Sequence, residues 1–176
     1  MNPLVAHIEA QNAESAAWAA EEEGRWAGET VTDPEFWAEC GVYTVEDYEK
    51  YQLACSISES AKTAYGHKYW VDYANMSLVE LEELADSYGN SATEQLERER
   101  QAEEEAILEF ESRIQDVINL GAGDRQTALR WITSQETFYH QQCVEHFVWE
   151  LGVLFTSYGK DLIKELLGVV EYKEMV

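Results

Sequence analysis

The segment ETFYHQQCVEHFVWE, residues 136–150, gathers the side chains of this sequence best suited to chemistry. His140, Cys143 and His146 recur every three residues. On a helix, Glu136, His140 and Cys143 share one stripe, at steps of four and three. Thiolate, imidazole and carboxylate are zinc ligands, and Cys143 beside His140 or His146 has the composition of a nucleophilic dyad. The same stripe runs on through Phe147, Leu151, Leu154 and Tyr158. That is the apolar face of a central helix, on which His140 and Cys143 read as core-facing residues, while His146 points off it. A reactive thiolate also favours an electropositive site, and this chain is the opposite. His7 and His67 are remote in sequence and have no clear partner. Gly121-Ala-Gly123-Asp124 follows a helix and lacks a lysine, so it reads as a helix stop and start, not a phosphate loop. No calcium-loop pattern is present. The expectation is a protein without metal, cofactor or catalytic residues.

Charge dominates the composition. The 176 residues include 35 acidic and 12 basic ones, for a net −23. Residues 1–60 carry 13 acids and 2 bases, residues 61–120 carry 14 and 5, and residues 121–176 carry 8 and 5. With 45% hydrophobic and 12% aromatic residues, the chain can still build a core, which argues against disorder. Such an anion repels nucleic acid and anionic membranes. Its partners should be basic: a positively charged protein groove or a divalent cation. Cys40, Cys55 and Cys143 are odd in number and show no paired spacing. The start, MNPLVAHIEAQ, has no basic-then-apolar pattern, and no run of 18 apolar residues occurs. These features predict free thiols, a cytoplasmic location and no membrane contact.

Helix signals set the expected fold. Pro3 opens a helix that Gly24 ends. Asp33-Pro34-Glu35 starts a short one that Gly41 stops, and Thr44 to Asp47 opens another to about Lys62. Ser77-Leu-Val-Glu80 and Ser91-Ala-Thr-Glu94 are both capping-box patterns, with Gly89 and Gly121 punctuating the helices they begin. Asp124 caps a further helix and Asp161 the last. The aromatic stretch HKYWVDY, residues 67–73, favours a short strand or a turn, with TVTD near Val31 or the tail GVVEYKEM as partner. The prediction is a mainly α single domain over 1–176 with at most a small β-element near residues 67–73. Residues 1–120 form its strongly acidic helical part, and residues 121–176 its low-charge aromatic core helices. Aromatics such as Trp131, Phe138, Trp149 and Phe155 belong to that core or to a partner face. Residues 147–155 are apolar nearly all round, which suits a buried helix or an oligomer seam.

The most acidic element is LERERQAEEEAILEFE, from Leu96 to Glu111. Ile107, Phe110, Ile114 and Val117 give the helix from Ser91 to Leu120 one apolar stripe. Its charges do little for the helix itself. Glu94–Arg98 and Glu109–Arg113 attract, Glu99–Glu103 and Glu105–Glu109 repel, and each term is only a few tenths of a kcal/mol. A solvated acidic face explains this without function. A second explanation is that carboxylates stand in for phosphates. Four residues rise about 6 Å along a helix, similar to the phosphate step of one strand. From Glu94 to Asp116 the net charge of −6 spread over roughly 33 Å is about threefold sparser than duplex DNA, at one charge per ~1.7 Å. A compact domain of this length is about 40 Å across. A duplex of that length carries about 24 charges, which matches −23. Glu21-Glu22-Glu23, at a helix C-terminus, likewise oppose the dipole and gain from a basic partner.

In charge, size and aromatic content the chain resembles the phage-encoded antirestriction and anti-CRISPR proteins that mimic DNA. The likeness covers composition and no aligned residues, so no functional position carries over from it. It implies an inhibitor that occupies the basic nucleic-acid groove of a bacterial defence or DNA-processing protein, in the host cytoplasm, without binding nucleic acid itself. The residues expected to meet that partner are Glu97, Glu99, Glu103, Glu104, Glu105 and Glu111, with Glu21, Glu22 and Glu23. The alternative is a helical adaptor or structural protein whose acidity serves solubility or assembly, with a homodimer through the aromatic C-terminal helices as one form.

Overall fold

The computed structural model describes residues 2–174. Among them are seven α-helices: α1 (Pro3–Ala20), α2 (Pro34–Glu39), α3 (Val45–Tyr65), α4 (Leu78–Val117), α5 (Arg125–Ile132), α6 (Gln141–Glu150) and α7 (Ser157–Leu167). The chain is mainly α. Most helix starts are local side-chain caps. Asp33 accepts from the Glu35 amide, and Asp124 from that of Thr127. Thr44 with Asp47, and Ser77 with Glu80, form reciprocal capping boxes. Each satisfies amides that have no carbonyl one turn back.

Four expectations need correction. Residues 67–73 form no strand; they run as an irregular strap from Gly66 into a 3-10 turn at Tyr73–Asn75. The tail pairs elsewhere: Tyr172 makes a single parallel bridge with Phe138, and the Lys173 amide donates to the Phe138 carbonyl at 2.8 Å. Met175 of that tail lies outside the described residues. Second, Ser91-Ala-Thr-Glu94 starts no helix, because α4 passes straight through Gly89. Inside a running helix the Ser91 and Thr93 hydroxyls instead donate back to the carbonyls of Ser87 and Gly89. Third, no single helix covers 136–158. α6 ends at Glu150 and Gly152 turns the chain at φ 78°, which a side chain would resist. Fourth, Thr156 caps α7, its hydroxyl accepting from the Gly159 amide; Asp161 lies within the helix and pairs with Lys164.

The chain divides into two compact units, Met1–Leu96 and Glu97–Val176. The change of charge near residue 120 does not coincide with this boundary, which falls inside α4. In the first unit, Leu4 and Ile8 of α1 pack with Trp37, Val42 and Tyr48. Trp37 meets Tyr48 and Tyr51 edge-on, at 5.0 and 5.7 Å. The Asn12 amide side chain pairs in both directions with the Thr30 backbone, at 2.7 and 2.8 Å, and so holds the loop after α1. In the second unit, Phe110 and Ile114 of α4 pack against Leu129 of α5, Val144 and Phe147 of α6, and Leu162 and Leu166 of α7. Burial of each such side chain contributes about 1.5–3 kcal/mol.

Candidate functional site

The second half of α4 is strongly two-sided. Phe110 and Ile114 are buried, with Ala106, Ile107, Val117 and Ile118 packed beside them. Glu97, Glu99, Glu104, Glu105 and Glu109 are exposed, and Glu103 is half-buried. The apolar stripe fixes the helix rotation and turns Glu97, Glu104, Glu105 and Glu109 to water, whereas Glu99 and Glu103 lie on the line of the stripe itself, ahead of Phe110.

Local cations consume part of that charge. Arg100 chelates Glu97 through Nε and Nη2, at 3.1 and 2.6 Å, and pairs with Glu104 on its other side. Hydrogen bonds from Arg100 and Gln101 hold the Glu97 carboxyl below its usual range. Among the described residues no ion pair holds Glu103, Glu105 or Glu109. Glu105 and Glu109, four apart, carry uncompensated charge on the outer face, while Glu103 lies about 160° round the helix from Glu105.

Glu111 is placed differently from the rest. Both its oxygens accept from Arg125, at 2.7 and 2.8 Å, and Oε1 also accepts from the Tyr158 hydroxyl at 2.6 Å. Arg125 in turn reaches Glu165 at 2.6 Å. Burial, then the Glu111 carboxylate, push the Tyr158 phenol upward, while the Arg125 hydrogen bonds pull Glu111 down. Glu111 ties α4 to α5 and α7 and is not presented outward with its neighbours.

The triplet Glu21–Glu23 follows α1, and two of its members turn back on Arg25. The distances are 3.3 Å to Glu21 and 2.6 Å to Glu22, and the guanidinium lies 4.8 Å from the centre of the Trp18 ring. One cation therefore relieves the acids at this helix end. Across the first unit, 19 acids face 4 bases, for −15; in the second, 16 face 8, for −8.

The His/Cys segment does not assemble as a helical stripe. Glu136 lies in the turn before α6, and His140 is the residue that precedes its first turn. Cys143 Sγ sits 3.7 Å from His140 Nδ1 and 3.9 Å from Nε2. An in-line hydrogen bond to one nitrogen would hold the other much farther away, so neither lone pair addresses the thiol. His146 stacks on Trp149 at 5.4 Å and approaches Glu150 at 3.6 Å. Among the described residues, no three His, Cys, Asp or Glu side chains converge as a metal site. No helix among them is long and apolar enough to cross a membrane.

The aromatics expected in the core divide. Phe138 and Phe147 are buried and meet edge-on at 6.3 Å. Trp131, Tyr139 and Trp149 are about half exposed, and Phe155 is 83% exposed. The segment 147–155 is therefore not a buried helix. Val148 and Val153 face inward while Trp149 and Phe155 face water.

No family model, curated protein or solved structure matches the chain.

Proposed function

We propose that the protein is an inhibitor that mimics nucleic acid: it sets the α4 carboxylates into the basic groove of a bacterial defence or DNA-processing protein. The observation that carries this reading is the rotation of α4. Its apolar residues are spent on the core of the second unit. Glu105 and Glu109 remain exposed, four residues apart on the outer face and without ion pairs. A helix step of four residues, about 6 Å, suits side chains that reach along a phosphate backbone. Like charges so placed cost the isolated helix a few tenths of a kcal/mol each, and a basic partner converts that cost into binding. The mode needs no metal, cofactor or reaction. Many charges would meet across the interface, so the complex should weaken steeply with salt.

Changing Glu103, Glu104 and Glu105 together to Lys tests the face. The variant should keep its helical circular dichroism, because none of the three belongs to the core, and should no longer retain basic proteins from a bacterial lysate. Retention equal to the wild type would remove α4 from the interface.

A second reading rests on Trp149 and Phe155. Two large apolar side chains exposed near each other in sequence suit an assembly contact, either with a partner or in a homodimer. In that case Phe155→Ser would dissociate the assembly and the lysine variant would not.

A further inference from the structure

In the second unit, the end of α6 and the turn after it lie against α4 and leave a groove of about 630 Å³ between the two helices. Gly152 marks the contact: a Cβ placed on it would lie 4.0 Å from that of Ala106. Ala106, Phe110 and Leu151 give the groove an apolar floor, continuous with the core. Its rim is charged. Glu109 and Asp116 stand along one side, about two turns apart on α4, and Glu150 stands on the other, at the last position of α6.

These carboxylates differ from others on α4. Arg100 takes up Glu97 and Glu104, and Arg125 takes up Glu111. Among the described residues no lysine or arginine pairs with Glu109, Asp116 or Glu150; Glu150 approaches the His146 ring, at 3.6 Å. Arg113 also lines the groove. It follows Glu109 by one turn and precedes Asp116 by three residues, spacings that favour pairing, yet among the described residues it forms an ion pair with neither. The rim thus sets three carboxylates against one guanidinium. A cleft lined mainly by one sign of charge, with low-dielectric walls, concentrates the field and draws in the opposite charge.

The make-up of the groove narrows the occupant. A long cationic side chain lays its aliphatic stem on an apolar floor and keeps its charged head at the rim. A guanidinium is planar, weakly hydrated and able to donate to two carboxylates at once. An ammonium is a compact, strongly hydrated charge that gains less beside apolar side chains. We propose that the groove between α4 and α6 receives an arginine side chain of the basic partner, its stem on Phe110 and Leu151 and its guanidinium between Glu109 and Glu150. This rests on the reading of α4 as a partner-binding face, and it adds an anchoring point on α6 that α4 alone does not provide.

The test uses the full chain and two fluorescent peptides, hexa-arginine and hexalysine, titrated at low salt. Wild type should bind hexa-arginine about tenfold more tightly than hexalysine, the advantage of one charge-assisted hydrogen bond. Glu109→Gln with Glu150→Gln should weaken hexa-arginine about tenfold. Glu104→Gln with Glu105→Gln removes the same charge outside the groove and should weaken it less than about threefold. Ser112→Leu fills the groove from its exposed rim without changing charge, and should erase the preference for arginine. None of these positions belongs to the core, so each variant should keep its helical circular dichroism. Equal weakening by the two glutamine pairs, or a preference for arginine that survives Ser112→Leu, overturns the arginine groove and leaves the α4 face standing. Failure of the wild type to bind either peptide overturns both.

Discussion

Arg125 grips both oxygens of Glu111, at 2.7 and 2.8 Å, across 14 residues of sequence. With Tyr158 and Glu165 this forms one polar tie among α4, α5 and α7. The tie is structural, so Glu111 should behave unlike Glu103–Glu105. Glu111→Ala removes a charge-assisted fork and leaves Arg125 half its partners. Both side chains are more than a third exposed, and solvent screens the pair. The expected loss is about 1 kcal/mol, or roughly 2–4 °C in melting temperature for a chain of this length. Thermal denaturation checks it. A variant that melts with the wild type would return Glu111 to the outward set.

The same pair predicts an acid response. Hydrogen bonds from Arg125 hold the Glu111 carboxyl below its ordinary value, which for an unfolded glutamate is about 4.3. A depressed carboxylate stabilises the folded state above its unfolded pKa, and the contribution is lost as pH falls through the folded one. Wild type should therefore exceed Glu111→Gln in urea stability at pH 7, and the gap should close below pH ~4. A gap that stays constant down to pH 3 would assign the difference to shape and not to charge.

Gly89 tests the continuity of α4. It sits inside the helix, and a Cβ there would meet nothing within 4 Å. Gly89→Ala should raise stability by about 0.5–1 kcal/mol, since alanine loses less backbone freedom than glycine in a helix. Urea titration followed by circular dichroism at 222 nm reads this. Destabilisation would mean that Gly89 ends one helix before Ser91 begins another.

Gly159 predicts the opposite sign for a different reason. A Cβ on it would lie 2.0 Å from the Val153 carbonyl oxygen and 3.1 Å from Leu154 Cα. The first turn of α7 is packed directly on the backbone of the preceding turn, so Gly159→Ala must push α7 off the core. A loss of about 3 kcal/mol or more is expected, at the severe end for overpacking. Wild-type-like melting would contradict this packing.

The sequence made some of this legible because caps are local. Asp33, Thr44, Ser77 and Asp124 each act within three residues, and all four bond as their spacing implies. The pattern at Ser91 is chemically the same and means nothing, because the amides ahead of it already have carbonyl partners within α4. Likewise, the apolar stripe of α4 is visible as Phe110 and Ile114, four apart, and it set the direction of the glutamates correctly for Glu104 and Glu105. It failed for Glu111, whose partners lie 14 and 47 residues away. The stripe drawn from Glu136 to Tyr158 assumed one helix and was cut by Gly152. Nothing in HKYWVDY reveals that it runs as a strap along α3, because its partners are distant in sequence: Lys68 pairs with Glu59, and Tyr73 meets Tyr51 edge-on.

The central claim is that the carboxylates of α4 substitute for a phosphate backbone, and competition with duplex DNA tests it most directly. The protein is immobilised, partners are captured from a bacterial lysate at low salt, and the column is eluted with duplex DNA. The account predicts that a basic DNA-binding protein is released by DNA and is not captured by the Glu103→Lys, Glu104→Lys, Glu105→Lys variant. Partners that bind both proteins and resist DNA would contradict it.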